Sequence, residues 1–284
     1  MSRRSRLLLA FLAAGAALFA EAAKGEIVTR MEYFDRSGPS SANGVVLDGG
    51  GCAYAAGVRL TGGPGAKYEA LLRKISPYGE LLWTVSASGA GTTTYEDSGL
   101  AVALYPLPGG GSDLIAGGRL WTGTVTGFDA WLARLTTDGA YVWSKVLATP
   151  GVCSTDSVES IAVSADGWIY VAGRVANTGK DSNLWVVKFD GNGNKLNEYK
   201  RSEIVGVDDA GCAVAVDPGG DLYAAGYVTR AGQCANIWVG RMNSNLAFLP
   251  SWPIEINGQA SSTDMASGLA VDSSGNALVA GAMT

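Results

Sequence analysis

Residues 213–242 read AVAVDPGGDLYAAGYVTRAGQCANIWVGRM. Ala213 to Val216 alternates small and β-branched residues with the period of two that marks a strand. Asp217-Pro218-Gly219-Gly220 is turn chemistry: Pro fixes φ at the first turn position, Gly supplies positive φ, and Asp bonds the backbone that follows it. Leu222 to Ala225 reads as the returning strand. Gly226 closes it, where the chain needs freedom to leave the sheet. Ile237 to Met242 is a third strand carrying Trp238, and Asn243-Ser244-Asn245 is a second turn. The inner strands hold mostly Ala, Val and Gly, as a sheet crowded against its neighbours near a common axis requires.

The unit recurs. The glycine closing the second strand falls at Gly57, Gly117, Gly173, Gly226 and Gly281, at intervals of 60, 56, 53 and 55 residues. The third-strand landmark is Trp131, Trp185 and Trp238, with Leu71 in the first copy. Units of roughly 40–55 residues with four short strands predict an all-β fold, a β-propeller of four-stranded blades. The copies span about 44–95, 99–150, 158–207 and 211–257. A partial fifth covers 268–284, and residues 26–34 form an orphan fourth strand at the other end. The chain stops after the second strand of that fifth copy. This predicts either a C-terminal truncation of a longer propeller or a small five-bladed ring that tolerates a gap.

IAVSADGWIYVAGRV (161–175), VAVDPGGDLYAAGYV (214–228) and LAVDSSGNALVAGAM (269–283) resemble the bacterial β-propeller repeat called the SBBP repeat. FDAWLARLTTDGAYVWSKVL (128–147) and NLWVVKFDGNGNKL (183–196) are similar to its other half. The resemblance covers nearly all of the chain after residue 25. It implies the fold and says little of function, because propellers host enzymes, lectins and scaffolds alike.

Composition narrows the function. Among 284 residues there are 40 Gly and no His, and the formal net charge is −5. The charge gives no electrostatic footprint for nucleic acid. The missing imidazole removes the commonest general base and a favoured metal ligand, so no Ser/His/Asp arrangement is possible, and no phosphate-cradling loop pattern occurs. Arg3, Arg4 and Arg6, the apolar run Leu7–Phe19 and Ala20-Glu21-Ala22 predict a secretory signal over residues 1–22. The mature chain is then expected to be periplasmic, extracellular or at the cell surface, with no membrane span.

Five features are candidates for chemistry. Asp97, Asp156, Asp209 and Asp264 recur in the loop entering each copy, with Ser40 in the first; strand-four-to-one and strand-two-to-three loops share one face, so these carboxylates form part of a ring there. They read either as a site for a cation such as calcium or as loop locks repeated with the blade. Asp190-Gly191-Asn192-Gly193-Asn194 resembles the start of a calcium loop, but Lys195 and Arg201 stand where Gly and Glu are required, so a hairpin turn is expected. Trp83 and Trp143 dock blade on blade. Their slot is Asn197 and then Pro250 in the later copies, which breaks the series and argues against a quinone-dependent enzyme. Cys212 and Cys234 lie on one face of one copy and are the expected disulfide, while Cys52 and Cys153 point to opposite faces. The absence of CxxC makes zinc improbable. Finally, the variable loops after the second strands carry Arg59, Arg119, Arg174 and Arg230, either as a binding surface or as plain solvated linkage. The expected function is a non-catalytic module recognising protein or glycan through loops on one face. The alternative is a hydrolase or lyase with a carboxylate or cation site at the channel mouth.

Overall fold

The computed structural model describes residues 40–90, 95–124, 126–148, 154–176, 181–201, 204, 206–258 and 262–283. The expected signal segment 1–22, the strand at 26–34 and Cys153 lie outside them. The described residues form strands and no helix. Four sheets have four antiparallel strands in simple up-and-down order. The first comprises β1 (Ser40–Leu47), β2 (Ala53–Leu60), β3 (Tyr68–Ile75) and β4 (Leu81–Ala87). The second comprises β5 (Ser98–Pro106), β6 (Ser112–Gly123), β7 (Gly127–Thr136) and β8 (Tyr141–Leu147), and the short β9 (Ser154–Thr155) pairs in parallel with β7. The third comprises β10 (Ser157–Val163), β11 (Ile169–Ala176), β12 (Ser182–Phe189) and β13 (Lys195–Arg201). The fourth comprises β14 (Ala210–Val216), β15 (Leu222–Thr229), β16 (Ala235–Met242) and β17 (Ile254–Ile256). A fifth sheet has two described strands, β18 (Met265–Val271) and β19 (Ala277–Ala282). The first strands of consecutive sheets touch one another from β1 to β18, and the fourth strands form the exposed rim. These are the blades of a β-propeller.

The hydrophobic core lies between sheets. Tyr54, Leu72, Leu114 and Trp131 pack between the first and second sheets, and Ile115, Leu132, Ile169 and Trp185 between the second and third. Tyr170, Leu184, Leu222 and Trp238 fill the third junction, and Ala225, Ile237 and Ala266 the fourth. The middle strands of the second, third and fourth sheets are therefore covered on both faces. That is why β12 is buried at every position and β15 at nearly every one, in place of the alternation of a half-exposed strand.

The repeated glycine has a different cause from the one its sequence position suggests. In every sheet the first strand carries a β-bulge, between Ala42 and Gly44, Gly99 and Ala101, Val158 and Ser160, Gly211 and Ala213, and Ala266 and Gly268. The landmark glycine sits in mid-strand opposite that bulge, where the bulged strand presses a carbonyl onto its Cα. A Cβ on Gly57, Gly173 or Gly226 would stand 2.0, 2.0 or 1.9 Å from the carbonyl oxygen of Ser41, Ser157 or Ala210. In the second sheet this position belongs to Gly118, 1.9 Å from Ser98 O, and not to Gly117, whose Cβ would meet the Val158 side chain. The landmark is thus one residue later there than the sequence spacing indicated.

Rim residues tie sheet to sheet. Trp83 Nε1 donates to Thr137 O (3.1 Å) and Trp143 Nε1 to Gly191 O (2.9 Å). Asn197, which follows them in the series, donates through Nδ2 to Asn245 O (2.5 Å). The series therefore continues in chemistry where it breaks in residue type. Trp143→Phe keeps most of the ring packing and loses this bond, so a cost of about 1 kcal/mol is expected in urea denaturation. The stretch 190–194 is the expected turn: Asp190 Oδ1 accepts from the backbone N–H of Asn192 (2.9 Å) and Asn194 (2.8 Å).

Candidate functional site

The entry aspartates take the same place in each sheet, and all are buried, at most 1 % exposed. Asp97 Oδ1 accepts from Trp121 N (2.5 Å) and Oδ2 from Gly89 N (2.8 Å). Asp156 Oδ1 accepts from Ala176 N (2.6 Å), Asp209 Oδ1 from Thr229 N (2.7 Å), and Asp264 Oδ2 from Gly258 N (2.5 Å). Each thus clamps the end of its own sheet's second strand or the loop leading into it. Burial raises the pKa of Asp97, and the N–H groups of Trp121 and Gly89 offset only part of that rise. Burial pushes Asp209 up to about 6 against Thr229 and Arg201, with the nearby Asp181 adding to it. These backbone bonds fit the locking role, and Asp209 Oδ2 takes no part in them. Among the described residues no three His, Cys, Asp or Glu side chains converge as a metal centre.

The cysteines do not form the expected bridge. Cys212 is a free thiol. It is the extra residue of the β14 bulge and packs beside Ala210, Tyr227, Ala235 and Met265. Burial, then the charge of Glu159, lift its pKa to about 11 against Arg174. Its position in the bulge, which sequence spacing cannot reveal, sets its direction and leaves Cys234 unbridged to it.

The arginines are separated by their partners. Arg59 bridges Glu69 (3.1 Å), Arg119 lies over the Phe128 ring (4.9 Å), and Arg174 meets Glu159 (3.3 Å). Arg230 borders an open concavity. Its Nε and Nη2 donate to the two carboxylate oxygens of Glu255, each at 2.7 Å, and Arg201 Nη2 reaches Glu255 Oε1 at 2.6 Å. Burial raises the Glu255 pKa, but the Arg230 hydrogen bonds and the Arg201 charge outweigh it and hold the group below the usual glutamate range. The concavity is about 470 Å³ and is lined by Ile204, Arg230, Ala231, Gln233, Asn236 and Glu255. Asn236 is buried in its floor and donates through Nδ2 to Gln233 Oε1 (2.8 Å). It lies on the face shared by the two-to-three and four-to-one loops.

Gln233, Asn236 and Glu255 were not singled out by sequence. Superposing the third-strand landmarks does put Asn236 in one series with Asn183, Asp129 and Glu69, two residues before Trp238, Trp185, Trp131 and Leu71, a polar position maintained in every complete sheet. Glu255 belongs to β17, the shortest fourth strand, where the repeat pattern has faded.

No family model matches the chain, and no curated protein matches it. Its fold is similar to that of solved structures. One is a protein of unknown function from Dyadobacter fermentans, with a TM-score of 0.57 and 12% identity, covering 83% of this chain and 70% of that one. Another is an α-L-arabinanase from Penicillium chrysogenum complexed with arabinobiose, with a TM-score of 0.54 and 12% identity, covering 94% of this chain and 79% of that one. At such identities the likeness concerns the fold alone. Among the described residues no helix is long and apolar enough to cross a membrane.

Proposed function

We propose that this chain is a secreted, non-catalytic binding module of the SBBP-repeat kind, which recognises protein or glycan through the loops of one propeller face, with the groove beside Arg230 as its contact. The observation that carries this reading is the composition and position of that groove. It gathers a guanidinium and two side-chain amides from residues 230–236 and a carboxylate from β17 at an open surface, on a frame of packed sheets. Binding residues held on loops above a rigid scaffold are the usual arrangement. Arg230 and Glu255 neutralise one another, so the groove suits a ligand rich in hydroxyl or amide groups better than a bare ion. Export rests on the basic and apolar pattern of residues 1–22, and N-terminal sequencing of the mature protein tests it.

A hydrolase or lyase at the channel mouth has less support. Such chemistry asks for carboxylates that reach the substrate, and the entry aspartates are buried and bonded to backbone N–H groups. A glycan array with the intact chain tests the proposal. The expected result is retention of a subset of neutral oligosaccharides, weakened about tenfold or more by Gln233→Ala and by Arg230→Ala. Retention unchanged in both variants would remove the groove from the contact, and release of reducing ends from a bound polysaccharide would turn the reading toward an enzyme.

A further inference from the structure

The junctions between sheets repeat one contact, and one junction departs from it. The backbone N–H of Asp156, Asp209 and Asp264 donates to the carbonyl of Phe128 (2.8 Å), Ser182 (2.8 Å) and Ala235 (2.7 Å), three residues before the third-strand landmark of the preceding sheet. The residue just before that carbonyl comes within electrostatic reach of the entry carboxylate in the first and third junctions. Register makes it Lys67, Gly127, Asp181 and Cys234 in the four junctions. In the first junction the Lys67 charge favours the ionised form of Asp97. In the third, Asp181 sets a like charge against Asp209.

Three carboxylate oxygens at this third junction lack hydrogen-bond donors. Asp181 is 4 % exposed, and both its carboxylate oxygens are buried without a hydrogen-bond partner. Asp209 Oδ2 is in the same condition, although the second oxygen of Asp97 is met by a loop N–H. The amide oxygen of Asn183, in a side chain 8 % exposed, is also without a partner, as is that of its counterpart Asn236 in the fourth sheet. Alternation along the strand puts Asn183 on the same side as Asp181. Glu69, its counterpart in the first sheet, acts electrostatically on Asp97, which places this position within reach of the entry carboxylate. Of the guanidiniums near the junction, Arg201 and Arg230 bond Glu255, with the Arg201 charge also acting on Asp209, and Arg174 pairs with Glu159. Asp208 is bonded to the backbone instead, accepting from Ser182 N (2.8 Å).

Buried carboxylate oxygens without donors are costly unless a positive charge answers them. An acceptor-only set of carboxylate and amide oxygens is the ligand chemistry of hard divalent cations. We propose that the junction of the third and fourth sheets binds one calcium ion through the carboxylates of Asp181 and Asp209 and the amide oxygen of Asn183. Two carboxylates and one amide leave coordination places for water or backbone carbonyls, which calcium accepts readily. The ion would staple two sheets beneath the loops that lead to the Arg230 groove. This site does not rest on what the groove binds.

Calcium titration of the chelator-treated protein tests it, followed by thermal melting and by titration calorimetry. The wild type should bind one ion per chain and melt about 5–10 °C higher at a hundredfold excess over Kd, with a smaller rise for magnesium. Asp181→Asn, which removes no hydrogen bond, should lose the rise. Asn183→Ala should weaken binding about tenfold. Asp156→Asn, at the equivalent place one junction earlier, should keep the response. An unshifted wild type with no binding heat would overturn the site, and so would an equal shift in Asp181→Asn, which would put calcium elsewhere.

Discussion

Alanine at Gly226 is expected to cost at least about 3 kcal/mol, far more than glycine-to-alanine changes usually do in strands. The ordinary effect has the opposite sign: alanine restricts the unfolded chain and favours a strand interior by roughly 0.5–1 kcal/mol. That gain is overwhelmed here because the new methyl would lie 1.9 Å from Ala210 O and 2.9 Å from both Ala210 C and Gly211 Cα. All three are backbone atoms of the bulged β14, so no side chain can swing aside. Relief demands that the bulge flatten, which would drag Cys212 and the neighbouring register out of place. Gly118→Ala and Gly173→Ala should behave alike, with carbonyls at 1.9 and 2.0 Å. Gly268→Ala is the control. Its methyl would meet only Ala280 Cβ, at 3.9 Å, and should be neutral or slightly stabilising. Urea denaturation followed by tryptophan fluorescence measures all four. A Gly226→Ala cost below about 1 kcal/mol would mean that the bulge does not press on that position.

The same glycines show how far the sequence could be read. Their recurrence was legible because the cause recurs: every sheet has the bulge, so every sheet needs a residue without Cβ opposite it. The cause itself was not legible, since a bulge leaves no residue signature in first strands as different as SSANGVVL and SVESIAV. Where two glycines are adjacent, spacing selected Gly117 and the backbone approach selects Gly118. The entry aspartates were found by position, but choosing between lock and cation site required knowing which N–H groups their oxygens meet. The groove stayed hidden because its partners are distant in the chain: Arg230 meets Glu255 across 25 residues, and Arg201 meets it across 54. Asp181 is marked out only by the bond from the Asp209 N–H to Ser182 O, which brings the residue next to it to the junction. Disulfide pairing failed for a related reason, since shared-face arguments do not foresee that Cys212 is the extra residue of a bulge.

Removing the Asp97 carboxylate should produce the second large effect, about 3–5 kcal/mol for Asp97→Ala. This side chain answers two backbone donors, Trp121 N and Gly89 N. Alanine strands both, and Trp121 is itself buried beneath the Tyr95 ring stacked at 3.5 Å. A stranded buried donor costs about 1–3 kcal/mol, and bonds to a carboxylate lie in the upper part of the range. Asparagine keeps one acceptor and turns an amide NH2 toward the other N–H, so Asp97→Asn should fall roughly midway. The pH dependence has a definite sign. Burial holds the Asp97 pKa above that of the unfolded chain, even against its two backbone donors. A carboxyl group with a raised folded-state pKa contributes its proton-linked stability fully below the unfolded pKa of about 4, and loses it as pH rises through the folded value. The stability difference between wild type and Asp97→Asn should therefore be largest on the acid side and shrink as pH rises through that window, while other carboxylates cancel between the two proteins. Urea denaturation at a series of pH values gives the difference directly. A difference that grows with pH would show that the N–H donors outweigh burial and that Asp97 is held as a stabilised anion.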